Sequence, residues 1–351
     1  MTGVHAPAAT TRMVRVAAHV HSEWSDDASW PLSRIAATFG RLGYSVILMS
    51  EHSRGFSSAK WGEYIDACKM ASNGRVTLVP GIEYGDSDDV VHIPVWGRVP
   101  FFGEAPHIGA LLADVTQGGG TAVWAHPWRR DAWRRFDPDW SQYLSGVEVW
   151  NRKYDGIAPN PNSFEISRRG GTPAFVALDF HTRRQLFPLS LTLRLDSVSE
   201  RQARADPRTV DEAGAGVDQV YSALSSGSFS PRAFGLPLER LTAGPLAGAL
   251  RRLERTRRIV VHIVHLSGNP RPEPSSQEDY ECKRADQSTP GRAVAARLLA
   301  VMPRGARRRY GRRSKKADTM NAAMIASTAI AAMVRFGYPD CATGPLGGAM
   351  G

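Results

Sequence analysis

The sequence predicts an α/β fold in which a parallel β-sheet, covered by helices on both faces, is closed or distorted into a barrel. Three observations support this prediction. Continuous apolar segments alternate with helical ones. Functional side chains recur directly after the apolar segments, which is typical of barrel proteins. The 351 residues, with 42% hydrophobic content, can bury the core of one large domain plus an appendage.

Predicted strands and helices follow one another from the N-terminus. Strands are expected over residues 14–18, 45–49, 76–79, 90–96, 121–124, 147–150 and 174–178. Helices are expected over residues 31–42, 61–71, 108–115, 219–226 and 244–257. Pro31 suits the first turn of the first helix, and three glycines after residue 117 suit the end of the third. Residues 259–266, which contain His262 and His265, look like a strand carrying two structural histidines.

Nine side chains that bind hard or borderline metal ions lie at or near the ends of these strands. They are His19, His21, Asp26, His52, Glu83, His92, His126, Asp179 and His181. His19 and His21 are two residues apart, so in a strand both point to one face and can reach one ion. The alternative is a set of ordinary interior histidines, and for His92 a histidine of a loop or the core. Mixed imidazole and carboxylate ligands suit zinc, manganese or iron(II) better than calcium.

The order of these motifs resembles the polymerase and histidinol phosphatase (PHP) superfamily over residues 13–200. The matching motifs are His19-Val20-His21, Glu51-His52, Gly81-Ile82-Glu83, His92, Ala125-His126-Pro127 and Asp179-Phe180-His181. The resemblance implies a distorted seven-stranded β/α barrel, similar to a TIM barrel, with a trinuclear metal site that usually hydrolyses phosphoesters. Two residues depart from the family pattern: Glu51 stands where Asp is usual, and Asp27 replaces a common Gly.

The resemblance also implies how two or three divalent ions are shared. The first ion takes His19, His21, Glu83 and Asp179, the second takes Glu83, His92 and His126, and the third takes Asp26, His52 and His181. Glu83 would bridge two cations that otherwise repel each other at about 3.5–4 Å. Glu83 and Asp179 are therefore expected to act directly in catalysis, by holding a metal-bridged hydroxide as the nucleophile.

Other polar residues follow the strands without matching a ligand motif. Glu148, near the end of the sixth predicted strand, is a candidate catalytic base or substrate contact, or an ion-pair partner. Arg129 and Arg183 lie beside metal motifs, where a guanidinium group could bind a phosphate. For each arginine, an exposed loop charge is the alternative.

Three classes of function fit these residues. The first is a histidinol-phosphatase-like, metal-dependent phosphoesterase that acts on a small phosphorylated metabolite or nucleotide. The second is a nuclease or other ester hydrolase of the same superfamily, for which a shallow, salt-sensitive groove would be characteristic. The third is a noncatalytic metal-binding regulatory module. The loss of ligands would indicate such a module, whereas all nine candidate ligands are present.

The net charge of +10 is not spread evenly along the chain. Residues 1–250 carry 25 Lys and Arg against 26 Asp and Glu, whereas residues 251–318 carry 18 against 7. The excess lies in a predicted basic, Ala-rich extension over residues 292–351, which a Pro- and Ser-rich linker over 267–291 separates from a catalytic domain over 13–266. The basic extension could contact nucleic acid phosphates, or it could be a solvated tail.

The remaining composition bears on location. Three widely spaced cysteines without a CxxC pair favour a reducing cytoplasm and argue against a disulfide framework and a cysteine-based zinc site. We expect neither a signal peptide nor a transmembrane helix, because the sequence has neither the apolar core of the one nor an apolar run long enough for the other. The sequence does not determine the oligomeric state.

Overall fold

The computed structural model describes residues 11–196 and 216–267. The described residues up to Glu254 belong to one compact unit, and those from Arg255 onward belong to a second. The predicted linker beyond residue 267 and the predicted basic extension lie outside the described residues. The predicted domain boundary at residue 266 therefore stays a prediction.

The described chain is a mixed α/β fold with two six-stranded sheets. The first sheet contains β1 (Thr11–Val20), β2 (Val46–Met49), β4 (Thr77–Val79), β10 (Leu189–Asp196), β11 (Phe229–Ala233) and β12 (Leu236–Pro237), in the order β12-β11-β10-β1-β2-β4. The second contains β3 (Glu51–His52), β5 (Gly81–Gly85), β6 (His92–Trp96), β7 (Thr121–Trp124), β8 (Gly146–Asn151) and β9 (Ala174–Ala177), in the order β3-β5-β6-β7-β8-β9. The seven strands predicted before residue 180 are present in these sheets.

Eight α-helices occur in the described chain. They are α1 (Leu32–Arg41), α2 (Ser58–Ala71), α3 (Ile108–Gln117), α4 (Arg152–Asp155), α5 (Pro161–Gly170), α6 (Val217–Ser225), α7 (Glu239–Thr242) and α8 (Gly244–Ser267). Pro31 is the residue before α1, and the Ser57 side chain accepts from the Lys60 N–H at the start of α2. Short 3-10 helices cover Arg129–Arg135, Pro138–Gln142 and Arg183–Gln185. The predicted helices before residue 120 are thus confirmed.

The prediction of a wholly parallel sheet is wrong at β6. The pairs β1–β2, β2–β4, β3–β5, β7–β8 and β8–β9 are parallel, but β6 is antiparallel to both β5 and β7. The cause is the short link 86–91, because a parallel crossover needs a dozen or more residues and a hairpin does not. The reversal places His92 at the start of β6, opposite Gly85 of β5. His92 therefore lies at the same end of the sheet as Glu83.

Two further regions differ from the sequence prediction. Strands β10 and β11 were not predicted, although β10 pairs antiparallel with both β1 and β11. The strand predicted over 259–266 is wrong, because α8 runs through it and includes His262 and His265. None of the helices in the described residues is long and apolar enough to cross a membrane.

The two sheets are joined by two nearly continuous strands and by one β-bridge. Only Ser50 separates β2 from β3, and only Pro80 separates β4 from β5. Val20 at the end of β1 forms a parallel bridge with Phe180, just beyond β9. The strand pairings themselves define two sheets, so the predicted seven-stranded barrel is not confirmed by them.

Candidate metal centre

The fold brings eight of the nine predicted metal ligands into one cluster. Two groups share Glu83 and are called the Glu83 groups. One contains His19, His21 and Glu83, and the other contains Glu83, His92 and His126. A third, the Asp27 group, contains His21, Asp27, His52 and His181, and a fourth contains His19, His126 and Asp179. Within each group the candidate ligand atoms lie within 4.8 Å of one another. These residues come from the ends of strands that meet at one edge.

Glu83 lies at the centre of the cluster and is almost fully buried. Its Oε1 atom is 3.2 Å from His19 Nε2, 3.0 Å from His92 Nδ1 and 3.1 Å from His126 Nε2, and its Oε2 atom is 3.2 Å from His52 Nδ1 and 3.6 Å from His21 Nε2. Burial alone would raise the pKa of Glu83, but the charges of His19 and His92 and the hydrogen bond with His126 hold it well below its ordinary value. Glu83 is thus an anion placed to contact more than one cation.

The buried imidazoles around Glu83 offer nitrogen atoms that fit a metal. His19 Nε2, His21 Nε2 and His92 Nδ1 are buried without a hydrogen-bond partner, although all three face Glu83. A buried polar atom without a partner costs free energy. A bound divalent cation would satisfy all three atoms, so the donor set fits the group that the family resemblance implies.

The opposite nitrogen of each of these imidazoles is held by a second residue. Glu148 Oε1 is 2.7 Å from His19 Nδ1, Ser25 Oγ is 3.2 Å from His21 Nδ1, and Asp89 Oδ1 is 2.7 Å from His92 Nε2. These contacts assign the N–H of each ring to the side away from Glu83. Such partners fix the tautomer and the orientation of metal-binding histidines.

Glu148 is fully buried behind His19. Besides His19, its carboxylate accepts from the His126 backbone N–H at 3.0 Å and from Asn151 Nδ2 at 2.7 Å. Asn151 Nδ2 also donates to Asp179 Oδ2 at 3.2 Å. The sequence left open whether Glu148 is a catalytic base, a substrate contact or an ion-pair partner. This geometry favours a carboxylate that orients the candidate ligands rather than one that contacts substrate.

Glu51 is a second buried carboxylate that supports the cluster from behind. It accepts hydrogen bonds from the Ser22 backbone N–H, from the hydroxyl groups of Ser22 and Ser25 at 2.6 Å each, and from Tyr64 at 3.1 Å. Burial raises the pKa of Glu51, against the effect of these donors. Glu51, which departs from the family pattern, thus holds the ring of His21 in place through Ser25.

The structure places Asp27, rather than the predicted Asp26, beside His52 and His181. Asp27 Oδ1 lies 3.2 Å from His52 Nε2, and Asp27 Oδ2 lies 2.9 Å from His181 Nε2. Asp26 is exposed and belongs to none of the metal-binding groups of the described chain. Both residues lie in the turn after β1, and the path of this turn, which residue spacing does not determine, directs the Asp27 carboxylate to His52 and His181, although its side chain is 40% exposed.

Three of the clustered residues have unusual backbone conformations. His19, His126 and Asp179 have φ values of 60°, 27° and 47°, in the left-handed region. A residue other than glycine is uncommon there, and such strain concentrates at functional sites. His126 and Asp179 lie two residues beyond β7 and β9, and His19 lies within β1 at the register shift between Ala18 and Val20.

The two predicted substrate-binding arginines lie in different environments. Arg129 is buried, and its guanidinium donates to Asp89 Oδ2 at 2.7 Å and to the Tyr154 hydroxyl at 3.1 Å. Arg129 Nη1 also lies 3.1 Å from His92 Nε2. Arg183 is exposed at the start of a 3-10 helix two residues beyond His181.

Sequence reasoning did not rank Lys153, which the structure places at the mouth of the cluster. Its Nζ atom is 3.3 Å from His181 Nε2 and 3.8 Å from Asp179 Oδ1. Lys153 comes two residues after Asn151, the last residue of β8, and this position just beyond a strand was the sequence feature that could have indicated it.

His107 is not among the nine predicted ligands and lies outside the cluster. It is exposed and accepts from the Ala110 N–H at the start of α3.

Comparisons with known proteins give only distant matches. No protein-family model matches the chain, and no curated protein matches it. Three similar solved structures are PsfC from Pseudomonas syringae PB-5123, a proposed metal-dependent phosphoesterase from Bifidobacterium adolescentis, and Endonuclease Q bound to a duplex with an abasic lesion.

The similarity to each structure is low. The identities are 13%, 15% and 12%, and the TM-scores are 0.47, 0.38 and 0.39. The matches cover 71%, 60% and 58% of this chain, and 99%, 95% and 58% of the other chains. The chain resembles the PHP superfamily in its ordered motifs and in the grouping of its candidate ligands.

Proposed function

We propose that the protein is a metal-dependent phosphoesterase that hydrolyses a small phosphorylated metabolite or nucleotide, in the manner of a histidinol phosphatase. The observation that carries the proposal is the convergence of buried, unpartnered imidazole nitrogens on the Glu83 carboxylate. Zinc, manganese or iron(II), when bound, would lower the pKa of water and polarise a phosphoryl oxygen.

The residues of the chain would hold the ions and set their spacing. His19, His21 and Asp179 would bind on one side of Glu83, and His92 and His126 on the other. Glu83 lies within 3.6 Å of ring nitrogens from both sets, which supports a bridging role. Glu148 would act as a positioning residue through His19.

Of the two candidate arginines, we assign substrate binding to the one that is exposed. Arg183 is exposed two residues beyond His181, and its guanidinium could form two hydrogen bonds with a phosphate. Arg129 borders the same cluster from within the protein and would act on His92 through Asp89. The repeated placement of cationic groups around the ligands supports an anionic substrate.

The sheet connections support the barrel that the family resemblance implies. If β2 continues into β3 and β4 continues into β5, the strands from β1 to β9 make seven, and the Val20–Phe180 bridge links the last to the first. We infer that the two sheets form one distorted barrel, with the candidate ligands at one rim.

Hydrolysis assays with matched variants test this function. The full chain, stripped of metal, is supplied in turn with manganese, zinc and iron(II), and is assayed with phosphomonoesters, phosphodiesters and oligonucleotides. We expect phosphomonoester hydrolysis that is lost, together with bound metal, in His19→Ala and Asp179→Ala. His107→Ala, which changes a histidine outside the cluster, should retain both.

The outcomes separate the alternatives that the sequence left open. Hydrolysis of oligonucleotides alone would replace the proposed phosphatase with a nuclease. Full activity in either ligand variant would contradict the role of the cluster. Stoichiometric metal without hydrolysis of any ester would favour the noncatalytic metal-binding module.

A further inference from the structure

We propose that the ammonium group of Lys153 is the resident cation of the Asp27 group, so that the centre holds two divalent ions rather than three. The inference rests on the proposed function, because it takes the cluster to be a metal centre. The two ions would belong to the Glu83 groups.

Lys153 lies against the residues that a third ion would need. Its Nζ atom is 3.3 Å from His181 Nε2, 4.0 Å from Asp27 Oδ2 and 3.8 Å from Asp179 Oδ1. The side chain is 21% exposed, so the ammonium sits between the buried cluster and solvent. A lysine ammonium has three donors and can serve several acceptors together.

Both ring nitrogens of His181 have partners. Nδ1 of His181 lies 3.1 Å from the Asp179 backbone carbonyl and donates to it. Nε2 lies 2.9 Å from Asp27 Oδ2 and 3.3 Å from Lys153 Nζ. The Lys153 ammonium thus lies beside the ring nitrogen and the carboxylate that a third ion would need.

His181 distinguishes the Asp27 group from the Glu83 groups. Among the described residues, the buried ring nitrogens without a hydrogen-bond partner are His19 Nε2, His21 Nε2, His92 Nδ1 and His126 Nδ1. The first three face Glu83, and His21 also belongs to the Asp27 group. His181, in contrast, has a partner at each ring nitrogen. The three nitrogens that face Glu83 therefore mark places for ions on its two sides, and Lys153 lies against the group that contains His181.

Charge repulsion acts in the same direction. A third dication bound to His181 Nε2 at the usual distance of about 2.1 Å would lie close to the Lys153 ammonium. Like charges interact strongly where the surroundings are largely buried. Removal of the lysine charge should therefore open the Asp27 group to an ion.

Metal stoichiometry tests the inference without any assay of activity. The full chain is saturated with zinc or manganese, dialysed, and analysed for metal per chain by elemental mass spectrometry. We expect two ions in the wild type, two in Lys153→Arg, which keeps the charge, and three in Lys153→Met and Lys153→Gln. Lys69→Met, which removes an exposed lysine of α2, should retain two. Circular dichroism checks that each variant is folded.

Each outcome has a defined meaning. Three tightly bound ions in the wild type, or two in both folded neutral variants, would overturn the inference and leave the proposed function intact. If neither neutral variant folds, the wild-type count still decides: two ions, matched by Lys153→Arg, support the inference, and three refute it. A wild type without stoichiometric metal would overturn the inference and the proposed function together.

Discussion

Glu148 Oε1 lies 2.7 Å from Nδ1 of His19, although 129 residues separate the two in sequence and both side chains are fully buried. The contact fixes which nitrogen of His19 faces Glu83. The same carboxylate accepts from the backbone N–H of His126. One side chain from β8 thus orients two candidate ligands that come from the ends of β1 and β7.

Substitution of Glu148 should weaken metal binding without direct loss of a ligand. In Glu148→Gln the uncharged amide no longer favours the His19 tautomer that presents Nε2 to the ion. We expect metal affinity to fall by about 10- to 100-fold, the usual effect of such partners. Competition with a fluorescent chelator measures it. Glu165→Gln, at an exposed ion pair on α5, is the matched control, and equal affinities in the two variants would contradict this role for Glu148.

Metal binding should release protons, and its apparent affinity should rise with pH. Burial lowers the pKa of His52, but hydrogen bonds with Asp27 and Glu83 outweigh it and raise that pKa to about 10. The pKa values of His19 and His92 are also raised, since nearby carboxylates outweigh burial. Below these pKa values the rings carry protons that a metal must displace.

Titration calorimetry in buffers of different ionisation enthalpy measures this release directly. At pH 7 we expect net release of protons for each chain loaded with metal. Affinity that does not change between pH 6 and pH 9 would show that the imidazoles do not exchange protons for metal.

The adjacent carboxylates of the β1–α1 turn offer a paired test of the corrected ligand assignment. Asp27→Asn removes a charge that raises the pKa of His52, so in the metal-free protein this pKa should fall towards its ordinary value. Asp26→Asn, one residue away and exposed, should leave it unchanged. Titration of the imidazole signals by NMR decides between them. An equal shift in both variants would contradict the inward orientation of Asp27.

The two arginines beside the cluster should give different kinetic effects. Arg183→Gln should raise KM by about tenfold, because it removes an exposed charge-assisted contact with the phosphate. It should leave metal content unchanged. Arg129→Gln disturbs Asp89 and His92, so it should lower metal content as well as kcat. Steady-state kinetics and elemental analysis on both variants test the distinction, and a fall in metal content in Arg183→Gln would contradict it.

Stability should depend strongly on Gly81. A Cβ atom at this position would overlap the Trp96 indole and the Met49 carbonyl, which are joined by a hydrogen bond of 2.7 Å. We expect Gly81→Ala to destabilise the protein by about 3 kcal/mol. Gly62→Ala, in α2 with open space around it, should instead stabilise by about 0.5–1 kcal/mol. Chemical denaturation measures both, and similar effects in the two variants would contradict the packing at Gly81.

Short-range sequence properties determined much of the site. Residue type and position after an apolar run predicted eight of the nine side chains that cluster, because strand alternation and chemical preference for metals are local. The antiparallel β6 was also within reach, since the short link between Glu83 and His92 permits only a hairpin.

Only the tertiary structure decided how these residues are paired. It selected Asp27 over Asp26, placed Glu148 behind His19, and brought Lys153 beside His181. These contacts depend on the path of a turn and on which strands become neighbours, across separations of 28 residues for Lys153 and His181 and 129 for His19 and Glu148. The physical reason is that sheet pairing and backbone turns set the distances between side chains, whereas the sequence alone sets their chemistry and local spacing.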